Sequence, residues 1–178
     1  AIPMSAWLDG SCAGESKPEE QLECLAAKSV AAVNIIPDRN WNFKDPAVKA
    51  EKVAALKRYV EAAQALHMPI NVGTEGNKPG QRLVDDFAGE ALKPFHQAFL
   101  EGAQIIIGHT RLLRYADFSY IDADTQGLFA CQASRNRCFA AVGALPAPDV
   151  ATRDKLSAMA ADKAFAYLQD CAKAGQWR

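Results

Sequence analysis

Glu75 and His109 are the residues whose chemistry stands out first in this chain, because each follows a short apolar run and a glycine. In PINVGTEGNKPGQ, residues 69–81, the run ends at Val72. Gly73 gives the backbone freedom, and Thr74, Glu75 and Asn77 follow as polar groups. A carboxylate just past a strand can bind a metal or move a proton, and it can equally serve as a loop residue that accepts from neighbouring N–H groups. In QIIIGHT, residues 104–110, His109 follows three isoleucines and a glycine. Its imidazole suits zinc, manganese or iron and titrates near neutral pH, while the bland alternative is a histidine that closes the strand end.

A third run, AVNIIPDRN at 32–40, leads into Asp38, Arg39, Asn40 and Trp41. Arg39 can pair with a carboxylate or phosphate, Asn40 can orient it, and Trp41 can wall a pocket; a loop salt bridge between Asp38 and Arg39 with Trp41 in the core is the competing reading. Asp85 and Asp86 either fold back over the same mouth or belong to a solvated loop or a helix cap. His67 and His96 sit near helix ends and read as structural. The glycines of GTEGN do not form a phosphate loop, because the spacing is too short and no Lys-Ser/Thr pair follows.

Helices must separate these runs if the strands are parallel. Pro18 opens PEEQLECLAAK, with acidic residues in the first turn and a lysine near the end. Asp45 and Pro46 form an N-cap and N1 pair for a helix over 46–66, whose Val53, Leu56, Val60, Ala63 and His67 recur at spacings of three and four. Lys78-Pro79-Gly80 marks a turn, and a helix over 94–100 ending near Gly102 is expected to deliver the chain to a strand at 105–107. The expected order is helix and strand in alternation, with neighbouring parallel strands at 32–36, 70–72 and 105–107 and their polar ends at one mouth. Beyond them, 111–115 and 127–142 read as helical, LPAPD at 145–149 as a connector, and 150–174 as one helix stopped by Gly175.

Composition bounds the partners. Twenty Lys+Arg against 21 Asp+Glu give a net charge of −1 and pI near 6.4, without the basic stripe that nucleic acid requires. No apolar run approaches the ~20 residues of a membrane span. The expectation is a soluble, cytoplasmic protein with no nucleic-acid or membrane partner; hydrophobic residues make up 49% of its 178 residues, enough for a real core. Five cysteines, an odd number with no CxxC pair, favour reduced thiols, with a local disulfide between Cys131 and Cys138 as the alternative.

ALHMPINVGTEGNKPGQ, together with the later FLEGA, resembles the C-terminal part of PHP-type metal-dependent hydrolases in the amidohydrolase-like barrel group. In that family a strand leads to a Gly-Ser-Asp-x-His metal motif; here Gly73-Thr74-Glu75-Gly76-Asn77 lies on it, with Glu75 in the place of the aspartate and Asn77 in the place of the histidine. The family's His-x-His pair is absent. The resemblance spans about residues 30–115. It implies an α/β fold of parallel strands alternating with helices, part of a TIM-type barrel with a C-terminal helical appendage: an N-terminal segment and leading helix over 1–29, three βα units over 30–115 and a helical region over 116–178. It also implies hydrolysis of a phosphoester or C–N bond, with a divalent metal, Zn or Mn, on Glu75 and His109, and with Asp38, Arg39, Asn40, Trp41 and Asn77 holding a small-molecule substrate. The remainder of a longer chain or a second copy would complete the barrel. The alternatives are a non-catalytic small-molecule or carbohydrate-binding α/β module and a structural or assembly segment.

Overall fold

A computed structural model describes residues 4–5 by their backbone and residues 8, 14–74, 76, 79 and 82–178 in full. The chain divides into two compact units, Ala1–Leu100 and Glu101–Arg178.

In the first unit three short strands, β1 (Met4–Ser5), β2 (Val33–Ile35) and β3 (Ile70–Val72), lie in the order β1-β2-β3 and pair in parallel. Parallel neighbours need a crossover. Helix α1 (Pro18–Ala27) makes the first, while α2 (Asp38–Trp41) and α3 (Pro46–Ala65) make the second. Helix α3 starts where the capping signals put it, because the Asp45 carboxylate accepts from Ala47 N at 2.8 Å and Val48 N at 3.2 Å, and Pro46 needs no partner for a missing N–H. Period-2 alternation sends Val33 and Ile35 into a core with Leu22, Leu56, Tyr59 and Ile70. Asn34, between them, turns to the other face. There it meets its register partner Asn71, whose Nδ2 donates to Asn34 Oδ1 at 2.5 Å.

Helix α4 (His96–Ala116) follows a 3-10 turn at Lys93–Phe95, and it holds the main departure from the expected fold. Residues 105–107, expected as the third strand, are helical, and the expected helix end at Gly102 is in mid-helix. Three consecutive isoleucines favour a strand locally, but Phe99, Gly102, Ile105, Gly108, Leu112 and Ala116 are buried at intervals of three and four, and that stripe decides the helix. Ile107 points away from it and is exposed. The mixed α/β reading therefore holds only in its coarse form, a short parallel sheet with helices. The TIM-type barrel, and with it the identification with PHP-type or amidohydrolase-like hydrolases, is overturned, because the strand that would continue the barrel is part of a helix.

The second unit is helical among its described residues: α4 continues into it, followed by α5 (Ala123–Gly127), α6 (Gln132–Gly143), α7 (Val150–Ser157) and α8 (Ala161–Ala174). The single helix expected over 150–174 is broken at 158–160, and Gly175 ends the last helix at φ 69°, as a left-handed terminator does. Phe139 and Tyr120 are buried, and Phe118 packs on Phe165 with ring centroids 4.6 Å apart. Helices α4 and α6 touch backbone to backbone at Gly108 and Gly143. Cys24, Cys131, Cys138 and Cys171 are free thiols, so the local disulfide is not formed. No helix among the described residues is long and apolar enough to cross a membrane.

Candidate functional site

Immediately after β2 the chain turns at Pro37 into α2, with Asn40 N and Trp41 N both donating to Pro37 O. This one turn sorts four candidate residues into different roles. Asp38 accepts from Asn42 Nδ2 at 2.8 Å and so closes its own turn. Arg39 is half-buried. Asn40 is fully buried and donates from Nδ2 to Lys52 O at 2.9 Å, which ties α2 to α3. Its Oδ1 meets no donor among the described residues.

Trp41 is the residue that faces a cavity. Its indole Nε1 donates to Asp85 Oδ1 at 2.6 Å, a buried bond between residues 44 positions apart. Lys49 Nζ lies 5.7 Å and the Arg82 guanidinium 5.3 Å from the indole ring, so two cations flank its π system. Beside Trp41 opens a cleft of about 510 Å³, bounded by Lys49 and Ala50 of α3 and by Asp86, Glu90 and Ala91. Burial pushes the Asp85 carboxyl above the usual carboxylate range; the Trp41 N–H works against that shift, and the charge of Asp38 adds to it. Asp85 thus folds back onto the strand-end side, whereas Asp86 accepts from Gly89 N at 3.1 Å and caps a turn. Each of the two readings of this acidic pair is realised by one residue.

The motif after β3 is described in part. Glu75 and Asn77 lie outside the described residues; Gly73, Thr74 and Gly76 are within them. Gly73 does not need a left-handed backbone. Its requirement is space, since a Cβ there would stand 2.8 Å from Asn34 Nδ2, while its N–H extends the ladder to Ile35 O at 2.8 Å. Among the described residues no group of three or more His, Cys, Asp or Glu is placed to hold a metal ion.

His109 lies in the middle of α4 rather than at a strand end. Its Nδ1 accepts from Tyr120 N at 3.1 Å, which leaves the proton of the neutral ring on Nε2. Burial lowers its pKa, with the charge of Asp122 acting in the opposite sense. The folded state thus takes up this proton less readily than the unfolded chain, so His109 contributes stability above the unfolded value near 6.5 that is lost as pH falls towards the folded value. Protonation would also set an N–H against the Tyr120 N–H. The expected result is that thermal denaturation of the wild type shows a loss of stability on acidification below ~6.5 that His109→Gln reduces. Equal slopes in the two proteins would contradict it.

The bond between Asp85 and Trp41, Arg82 and the Asn34–Asn71 pair had no place in the sequence reading. For the asparagines a signal existed, because VNI and INV each carry an asparagine at the centre of an apolar run and parallel register sets one against the other. No such signal existed for the Asp85–Trp41 bond, whose two partners lie 44 positions apart. No protein-family model, curated protein or solved structure matches this chain.

Proposed function

We propose that the first unit is a small-molecule-binding α/β module whose ligand, a small polyhydroxylated compound of the carbohydrate class, occupies the cleft beside Trp41. The observation that carries this reading is the cleft itself: an aromatic wall at the carboxyl end of β2, with a lysine and two carboxylate residues around a volume of about 510 Å³. Indole and apolar Ala50 and Ala91 suit the C–H face of a sugar, and Lys49, Asp86 and Glu90 offer donors and acceptors to its hydroxyls. Asp85 has a supporting role. It fixes the indole through Nε1, so the wall is set before a ligand arrives.

Ala50 is exposed and lines the cleft, which makes Ala50→Phe a way to fill it without disturbing the core. In saturation-transfer NMR with a panel of monosaccharides and hexuronic acids, the wild type is expected to bind at least one member. Ala50→Phe should lose that signal at least tenfold while its melting temperature stays within about 2 °C. A wild type that binds no member of the panel, or a filled variant that binds equally well, would sink the proposal. Hydrolysis of a phosphoester or C–N bond is the second reading, and it draws on Asp85, whose carboxyl burial holds above the usual carboxylate range. Under that reading p-nitrophenyl phosphate or an anilide turns over and Asp85→Asn abolishes the turnover.

A further inference from the structure

The cleft beside Trp41 holds a cation that no carboxylate of the chain answers. Lys49, in the first turn of α3, is half-buried and lines the cleft. Its ammonium makes no hydrogen bond or ion pair with a described residue, and neither does the guanidinium of Arg82. Both instead face the indole of Trp41, with Lys49 Nζ 5.7 Å and the Arg82 guanidinium 5.3 Å from its centre. Neither therefore takes the contact position over the ring centre, which lies within ~4 Å of it. That position suits the C–H face of a sugar.

The carboxylates around the cleft leave Lys49 unneutralised. Asp86 Oδ1 accepts from Gly89 N at 3.1 Å, and both Asp86 and Glu90 are exposed. Asp85 is buried, with its Oδ1 on the indole N–H. Water screens exposed charges strongly and partly buried ones much less. For an anion entering the cleft, the attraction of half-buried Lys49 therefore outweighs the repulsion of Asp86 and Glu90, which remain available as acceptors for hydroxyls.

We infer that the ligand of this cleft is an acidic sugar, whose anionic substituent pairs with Lys49 while its C–H face lies on Trp41 and its hydroxyls donate to Asp86 and Glu90. The inference rests on the carbohydrate reading of the cleft and narrows it to one charge class. On a pyranose, the carboxylate of a hexuronate or the phosphate of a 6-phosphate projects beyond the edge of the ring. An indole against the ring and an ammonium close to that indole can thus be met by one molecule. The shared chemistry is an anionic group at C6.

The test measures Kd on the full chain by NMR titration with glucose, glucuronate and glucose 6-phosphate, and with the same three forms of galactose and mannose. In at least one set an acidic form is expected to bind about tenfold more tightly than its neutral parent, as one charge-assisted contact provides. The tighter of the two acidic arms identifies carboxylate or phosphate as the group recognised. Lys49→Met keeps the aliphatic stem and should bring acidic and neutral forms to within about twofold of each other, whereas Lys49→Arg should keep the acidic preference. Salt reads the same contact in the wild type: raising NaCl from about 20 to about 300 mM should weaken the acidic form about threefold and the neutral parent by less. Should Lys49→Met fail to fold, that salt response decides. Acidic and neutral forms that bind alike in the wild type, with Ala50→Phe still losing both, would overturn the inference and leave the carbohydrate cleft standing. An acidic preference that survives in Lys49→Met, or that is indifferent to salt, would overturn it in the same way. Binding of no sugar in any form would overturn both readings together.

Discussion

Gly108→Ala and Gly143→Ala should each destabilise the second unit by ~3 kcal/mol or more, a fall in melting temperature on the order of 10 °C. A Cβ at Gly108 would stand 1.9 Å from Phe139 O, and one at Gly143 would stand 1.7 Å from Gln104 O. Both obstacles are backbone atoms inside helices, so no rotamer change removes them, and α4 and α6 must move apart. Alanine returns only ~1 kcal/mol of helix propensity over glycine, less than the cost of separating packed helices. Separation would loosen the contacts of Phe139, Val142 and Leu112, all fully buried. The double variant should cost little more than either single one, because one displacement relieves both clashes. Gly127→Ala is the control: it makes the same change in α5, where a Cβ meets nothing within 4 Å, and should leave the melting temperature unchanged or slightly raised. A Gly108→Ala protein that melts within 2 °C of the wild type would show that the crossing has slack.

The same crossing explains why α4 was misread. From sequence, IIIGHT looks like a strand running into a polar end, since β-branched residues in series followed by glycine are a local strand signal. The helix arises from what those residues touch. Ile105 and Leu112 are buried on one side, and Gly108 is where α6 comes against the backbone. Tertiary contact of that kind leaves only a period of three and four in the sequence, easily masked by three adjacent isoleucines. Where the signal was local it was legible. Asp45 and Pro46 fixed the start of α3, Gly175 the end of α8, and the proline-rich LPAPD stretch carries no helix between α6 and α7. At the candidate site, Trp41 belongs to the core and also lines the cleft, so both readings of it offered by the sequence find a counterpart. Its bond to Asp85 was not legible, although Asp85 itself was read as folding back over the mouth, since a single hydrogen bond across a long separation has no periodicity to announce it.

Arg111→Ala should lower the stability of the second unit by ~2–3 kcal/mol, seen as a drop in the denaturant midpoint with an unchanged slope. Helix α6 cannot continue beyond residue 144 into LPAPD, because prolines 146 and 148 lack the N–H that a further turn needs. Its last carbonyls are therefore left without intrahelical donors, at the negative end of the helix dipole. Arg111 supplies donors from α4 to this end of α6 and to the connector that follows: Nη1 to Val142 O at 2.8 Å and Leu145 O at 2.8 Å, and Nη2 to Pro146 O at 3.0 Å. Trp177 closes the arrangement, with its ring 5.6 Å from the guanidinium and its Nε1 donating to the same Pro146 O at 3.2 Å. Burial pulls the Arg111 pKa down, yet a guanidinium stays charged at any ordinary pH, so this clamp should be insensitive to pH between 5 and 9. Arg111→Lys separates charge from shape. An ammonium keeps the attraction to the carbonyls but cannot reach three of them in the directions a planar fork does, so it should recover less than half of the loss. Trp177 fluorescence should report the change locally, moving towards the emission of a solvated indole in both variants. Full recovery by lysine would mean that charge alone holds this end of α6, and a loss below ~0.5 kcal/mol in the alanine variant would mean that water replaces the arginine at little cost.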